Sequence, residues 1–117
     1  AALGCAQLEN LDRYVADKRE TAARYAEFFK GKEDITFFTE PADCKSNYWL
    51  NAVVLKDKEA QLDFLEYTND HGVMTRPVWE LMNRLPMFEH CETDGLENTE
   101  WLADRVVNIP SSVRLDK

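Results

Sequence analysis

The sequence lacks any long apolar run and any block of basic residues. No apolar stretch approaches the ~20 residues that a membrane-spanning helix needs. The 22 Asp and Glu residues outnumber the 14 Lys and Arg residues, which gives a formal net charge of −8. Because this sign opposes binding to phosphate backbones and to anionic lipid surfaces, we expect neither nucleic acid nor membrane as a partner.

Cysteine and glycine are also scarce. The cysteines, Cys5, Cys44 and Cys91, are odd in number and lack CxxC spacing, which argues against a disulfide framework and favours a reducing, cytoplasmic location. With His71 and His90 they form no ligand pair at zinc spacing. The four glycines form neither a dinucleotide-binding nor a P-loop motif, and no G-x-S-x-G elbow is present. These patterns predict no metal site, no serine elbow and no phosphate-binding loop, whereas a Cys/His pair is neither favoured nor excluded by the sequence.

The N-terminal quarter of the chain reads as one long helix. The length of 117 residues and the apolar content of 44% fit a single domain, 1–117. Apolar residues recur along 3–30 at helical spacing, namely Leu8, Leu11, Val15, Ala22, Tyr25 and Phe29. Such a helix is about 42 Å long, whereas a compact domain of this size is about 30–35 Å across. Either part of the helix packs against something outside the chain, or it breaks near Asp12 or Gly31.

The remaining pattern mixes strands and helices. Strands are predicted at 35–38, 48–55, 73–76 and 106–110, and Pro77 is expected to stop the third. Helices are predicted at 58–71, after an Asp57 cap and with Leu62, Phe64 and Leu65 inward, at 79–85, and at 99–105 after an Asn98 cap. This order indicates an α+β fold, with a small mixed or antiparallel sheet and helices on one face. One helix joins strands 48–55 and 73–76, so we expect them to be neighbours.

Polar and aromatic residues near two strands form the candidate substrate-binding site: Asn47, Tyr48, Arg76 and Trp79. A guanidinium can bind a carboxylate or phosphate, and aromatic faces can stack on a sugar or base. A structural alternative pairs Arg76 with Glu80 at i,i+4 and buries Trp79 in the core. None of the seven lysines has the apolar setting of a Schiff-base lysine, and even Lys45, near a strand mouth, has polar neighbours.

Four stretches together carry a family resemblance. They are "AALGCAQLENLDRYVADKRETAARYAEFF", "CKSNYWLNAVVL", "GVMTRPVWELMNRLPMF" and "NTEWLADRVVNIPSS". In this order they resemble the C-terminal part of sugar-nucleotide aminotransferases of the DegT/StrS type, and most of all those of legionaminic acid biosynthesis. The resemblance implies the small domain of an aspartate-aminotransferase-fold (fold type I) enzyme. It also implies pyridoxal phosphate, a homodimer, and amino transfer, usually from glutamate, to a nucleotide-linked 4-keto sugar.

The resemblance also implies that one domain of the enzyme is missing from this chain. The large N-terminal domain, which carries the cofactor and the reactive lysine, would lie before Ala1. The 117 residues alone are therefore expected to bind no cofactor and to be inert, with 1–31 as the helix that connects the two domains. In such enzymes the segments that match 46–50 and 74–79 border the substrate cleft, which favours the four candidate residues. The alternative is a free-standing module that binds or senses a small ligand.

Overall fold

A computed structural model describes residues 1–114. Its helices are α1 (Ala2–Leu8), α2 (Leu11–Phe29), α3 (Lys58–Asp70) and α4 (Glu97–Ala103), with one 3₁₀ turn at Met82–Arg84. Its strands are β1 (Ile35–Phe37), β2 (Asn51–Leu55), β3 (Arg76–Pro77) and β4 (Val106–Ile109). Within this part of the chain, the sheet and the two longer helices set the architecture. The sequence from 111 to 117 was expected to form a tail, and its residues 115–117 lie outside the described part.

The four strands form one antiparallel sheet in the order β1-β2-β4-β3. Val53 pairs with Val107 of β4, and Pro77 of β3 pairs with Val107 from the other side. The expectation that β2 and β3 are neighbours is wrong, because β4, the last strand in sequence, inserts between them. Both strands run antiparallel to β4 and therefore parallel to each other. Period-two alternation within a strand cannot predict such an insertion.

The core lies on one face of the sheet. Side chains alternate between the two faces of a strand, and Val53 and Val107, at the centre of the sheet, are fully buried. Ala22 of α2 and the partly buried Phe64 of α3 belong to the same cluster. Complete burial of a valine side chain contributes roughly 1.5–3 kcal/mol. The predicted α+β architecture, with helices on one face of a small antiparallel sheet, is confirmed.

Strand β2 begins three residues later than predicted. Tyr48 has a φ of 47°, a left-handed conformation that is rare outside glycine. Ser46 Oγ accepts a hydrogen bond from Tyr48 N at 2.9 Å, and Asn47 Oδ1 accepts one from Trp49 N at 3.0 Å. Short polar side chains can replace ladder bonds in this way, and here they turn 46–50 into a loop rather than a strand.

The predicted long helix is divided at Glu9 and Asn10. Asn10 has a φ of −104° and a ψ of 2°, and its Nδ2 donates to Ala6 O at 3.1 Å. The break lies a short way before the alternative position near Asp12. Every residue of α1 is exposed, including Leu3 and Leu8, and Leu11 at the start of α2 is exposed as well. Among the residues of the predicted apolar stripe, those from Val15 onward are at least partly buried, whereas Leu8 and Leu11 are exposed.

The described chain is more open than a free-standing domain of its length. Its radius of gyration is 16.9 Å, compared with about 13–14 Å for a compact chain of this size. Its accessible surface is 8947 Å², compared with about 6,600 Å² for a folded monomer of this mass. The difference is larger than the roughly 800 Å² that each partner buries in a standard-size protein interface.

The third strand and the two helices that follow it differ from expectation. Strand β3 comprises Arg76–Pro77 rather than 73–76. It is an edge strand of the sheet, where a proline without an N–H is tolerated, so Pro77 lies within the strand and does not stop it as expected. Only the 3₁₀ turn Met82–Arg84 replaces the predicted helix 79–85. Helix α4 starts at Glu97 after Leu96, whose φ is 54°, so Asn98 lies inside the helix and is not its cap.

Helix α3 has the predicted start, but a different residue is buried. Asp57 Oδ1 accepts from Ala60 N at 2.8 Å, as a cap should. The predicted inward Leu62 is 54% exposed, whereas Gln61 is fully buried. Gln61 Nε2 donates to Ala103 O and to Val106 O, both at 2.9 Å. This amide therefore joins α3 to the turn between α4 and β4.

A second polar contact holds the 38–46 connector against α2. Arg19 makes a two-pronged ion pair with Glu40, with N–O distances of 2.6 and 3.0 Å, and its Nη1 also donates to Ser46 O at 2.6 Å. Ser46 N donates to the same carboxylate. The hydrogen bond from Arg19 and then that from Ser46 N lower the pKa of Glu40 from 4.5 to about 2. The guanidinium also lies over the Tyr48 ring, 5.7 Å from its centroid.

Replacement of Gln61 by leucine should destabilise the fold. The leucine has a similar volume but leaves Ala103 O and Val106 O without their donor, at a cost of about 2–3 kcal/mol. Urea unfolding of the wild type and Gln61→Leu measures the difference. Gln7→Leu, on the exposed helix α1, is the matched control and should change stability by less than about 0.5 kcal/mol. Equal effects of the two substitutions would contradict the assigned role of Gln61.

Acidification should weaken the fold partly through Glu40. Its pKa is about 2 in the folded chain instead of 4.5. Its stabilising contribution is therefore complete above 4.5 and is lost as the pH falls from there toward 2. Glu40→Gln should have a lower Tm near neutral pH and a smaller further decrease between about pH 6 and about pH 3. Glu66→Gln, an exposed carboxylate without an ion-pair partner among the described residues, is the control. An acid-induced decrease in Tm that is unchanged in Glu40→Gln would disprove the assignment.

Candidate substrate-binding groove

An open groove of about 810 Å³ lies where β3, the end of β4 and the 46–50 loop meet. Its lining combines two cations and two tryptophans with apolar, amide and hydroxyl groups. The lining residues are Lys18, Trp49, Leu50, Met74, Arg76, Pro77, Val78, Trp79, Asn108, Ile109, Pro110, Ser111 and Ser112. No Asp or Glu is among them. "The groove" refers below to this set of residues.

Two of the four candidate residues, Arg76 and Trp79, come together in the groove. Arg76 pairs in register with Asn108 of β4, and its Nη2 makes a long contact of 3.7 Å with Met74 Sδ. Glu80 lies 3.8 Å from Arg84 instead, so the expected Arg76–Glu80 pair is not formed. Trp79 is 72% exposed, which rules out a place in the core. The structural alternative for these two residues is therefore wrong.

The other two candidates, Asn47 and Tyr48, lie outside the groove lining. The Tyr48 ring stacks on Phe37 with a centroid distance of 6.4 Å, and its hydroxyl accepts from Glu40 N at 3.2 Å. Asn47 accepts from Trp49 N, as described above. Both residues therefore shape the loop that carries Trp49 to the groove. The structure does not bring them together with Arg76.

Lys18 lines the groove although it was not among the four residues predicted from the sequence. Lys18 Nζ donates to Ser111 O at 2.6 Å and to Trp49 O at 3.3 Å. A signal was present, because the predicted apolar stripe passes from Val15 to Ala22 in a step of seven. Lys18 lies between them at steps of three and four, on the same helical face. A lysine in an apolar stripe should have suggested a buried stem and a bound ammonium group.

The segment that follows β4 is bound to α2 along much of that helix. Tyr25 Oη donates to Pro110 O at 3.0 Å, and burial raises the pKa of this phenol. Asp17 accepts from Arg114 N at 3.1 Å. Together with Lys18, these contacts make residues 110–114 a fixed wall of the groove.

The groove does not offer the set of groups expected around pyridoxal phosphate. Such a site needs a free amine and a partner for the pyridine nitrogen. The groove has one lysine, whose ammonium already donates to two carbonyls, and it has no carboxylate. Within residues 1–114, no group of three or more His, Cys, Asp or Glu side chains is arranged to hold a metal ion. None of the helices in the described part of the chain is long and apolar enough to cross a membrane.

Comparison with known proteins finds partial matches to longer proteins. It is 29% identical over 115 residues to a Bacillus subtilis (strain 168) protein named as a pyridoxal phosphate-dependent aminotransferase, EpsN. It is 28% identical over 115 residues to the GDP-perosamine synthase of Vibrio cholerae. Each match covers 95% of this chain but only 30% and 31% of the relative. The chain thus spans about a third of the length of these relatives.

The fold is shared with a solved sugar aminotransferase, CalS13 from Micromonospora echinospora. The TM-score is 0.80 at 26% identity, over 95% of this chain and 29% of the other. The expected fold class, similar to the small domain of fold-type-I pyridoxal phosphate enzymes, is confirmed by this likeness. The model of the DegT/DnrJ/EryC1/StrS aminotransferase family matches residues 1–117 without remainder. This chain therefore belongs to the DegT/DnrJ/EryC1/StrS aminotransferase family.

Proposed function

We propose that this chain is the C-terminal small domain of an enzyme that uses pyridoxal phosphate to transfer an amino group to a nucleotide-linked 4-keto sugar. Glutamate is the proposed amino donor, and a homodimer in the cytoplasm is the proposed working form. Within that enzyme, the groove binds an anionic part of the substrate. The proposal draws on family membership, on the partial match to longer relatives, and on the chemistry of the groove.

The charge of the groove is the observation that carries the proposal. The chain has a net charge of −8, yet the groove lining contains Lys18 and Arg76 and no acid. Among the described residues, Arg76 makes no ion pair. An unpaired guanidinium in an otherwise acidic chain favours a phosphate or carboxylate ligand. A nucleotide-linked sugar carries phosphates of this kind.

The exposed tryptophans add a second kind of contact. Trp49 and Trp79 are 66% and 72% exposed. Large aromatic rings left in water at one groove are costly unless a ligand or another part of the protein covers them. Their faces suit a nucleobase or a sugar ring, whose apolar faces stack on aromatic side chains. The combination of two cations and two indoles therefore supports a nucleotide sugar better than a simple anion.

The remaining surface supports a contact with the rest of the enzyme. Helix α1 is exposed along its whole length, including Leu3 and Leu8. The surplus of accessible surface is larger than one partner's share of a standard-size interface. We propose that this area meets the larger part of the enzyme, which supplies the cofactor and the reactive lysine. The assignment to the legionaminic acid subgroup stays a prediction.

Arg76→Met tests the role of the groove. Titration with UDP, followed by the indole N–H signals of Trp49 and Trp79 in ¹⁵N NMR, should give weak, millimolar binding by the wild-type chain, since a half-site binds poorly. Arg76→Met should weaken it by about tenfold or more, the loss expected for a charge-assisted hydrogen bond. Arg13→Met, on an exposed position of α2, is the control. Binding that both variants retain would contradict the proposal, and micromolar binding by the wild type would favour the free-standing module.

The 117 residues alone should not react with the cofactor. When pyridoxal phosphate is added to the purified chain, we expect no visible absorbance from an imine with a lysine and no transaminase activity. The physical reason is that the ammonium group of Lys18, the groove lysine, already donates to two main-chain carbonyls. A stable imine band that disappears when one lysine is replaced would overturn the proposed division of labour between the two parts of the enzyme.

A further inference from the structure

Lys18 connects the two walls of the groove. Trp49 belongs to the loop before β2, and Ser111 belongs to the segment after β4. The Lys18 ammonium donates to the main-chain carbonyl of each, at 3.3 and 2.6 Å. The same walls meet a second time where Asn51 N donates to Ser111 Oγ at 2.7 Å. Lys18 thus joins the loop that carries Trp49 to the segment after β4, next to the place where β2 itself contacts that segment.

The ammonium group has capacity beyond these two contacts. A lysine ammonium has three N–H donors, and the described structure uses two of them. Both acceptors are neutral carbonyls, so the positive charge is not cancelled. Lys18 itself lines the groove with Arg76. The third donor and the full charge are therefore available to a ligand in the groove.

We propose that Lys18 is a positioning and anion-binding residue of the groove. Its two carbonyl contacts hold the Trp49 loop against the 110–112 segment and so fix the distance between the walls. Its third donor and its charge form, with Arg76, a two-cation site for a phosphate-type anion. The anion-binding part rests on the proposed function of the groove, whereas the holding part does not.

The holding role is tested without any ligand. Trp79→Phe and Trp101→Phe leave Trp49 as the only one of the three tryptophans. In that background, the fluorescence anisotropy of Trp49 reports how tightly its loop is held. Lys18→Met should lower this anisotropy, while Lys56→Met, which removes an equal charge from an exposed position, should leave it unchanged. Lys18→Arg keeps N–H donors and charge and should restore most of the anisotropy.

The anion-binding role is tested with inorganic pyrophosphate, titrated against the same Trp49 signal. Lys18→Met should weaken binding by about tenfold, as expected for the loss of one charge-assisted hydrogen bond. Lys18→Gln can still donate to a carbonyl but carries no charge, so it should retain part of the anisotropy and lose affinity as Lys18→Met does. This variant keeps both readouts usable if far-UV circular dichroism shows that Lys18→Met does not fold.

The outcomes separate the two claims. Unchanged Trp49 anisotropy in folded Lys18→Met or Lys18→Gln overturns the holding role. Wild-type pyrophosphate affinity in Lys18→Gln overturns the anion-binding role. If the wild type itself does not bind pyrophosphate, the proposed anion preference of the groove fails together with the anion-binding role of Lys18. The anisotropy result still decides the holding role in that case.

Discussion

The whole structure depends on a sheet that is covered by helices on one face only. Alternation along β2 and β4 sends Val53 and Val107 toward α2 and α3, where they are fully buried. The same alternation leaves Asn108 on the other face, beside Arg76 of the outermost strand. The groove lies where this second face meets the end of β4 and Lys18 of α2. The period-two pattern thus separates the core residues from Asn108 and Arg76, and α2 adds Lys18 to the groove.

Two adjacent residues of α2 hold the loop that shapes the groove. Lys18 binds the main chain at Trp49, and Arg19 binds Glu40 and the main chain at Ser46. Neighbouring residues on a helix project about 100° apart, so the two cations reach different parts of the same loop. Between these anchors, Tyr48 adopts its left-handed conformation and stacks on Phe37. A conformation of this kind persists where surrounding contacts determine it.

Two facts bear on function: the family to which the chain belongs and the small share of its relatives that it covers. The chain belongs to an aminotransferase family but spans about a third of the length of the relatives it matches. Its groove offers cations and indoles, which can bind and orient an anionic, ring-containing ligand, but offers no carboxylate and no free amine. Under the proposed function, these residues take part in binding the substrate, and the chemical step belongs to the larger part of the enzyme.

The sequence by itself determined the local elements and the family. Asp57 could be predicted as a cap because its signal lies within one helical turn, and the fold class followed from the order of elements. Arg76 and Trp79 could be named as candidates because the family resemblance implies that the segment 74–79 borders a substrate cleft; the residues alone left a structural role open. Only the tertiary structure decided that β4 separates β2 from β3, that Tyr48 turns away from the groove and that Lys18 reaches into it. The reach of Lys18 depends on contacts to residues 31 and 93 positions away, and the strand order depends on pairings between distant segments. Local periodicity carries no information about such pairings.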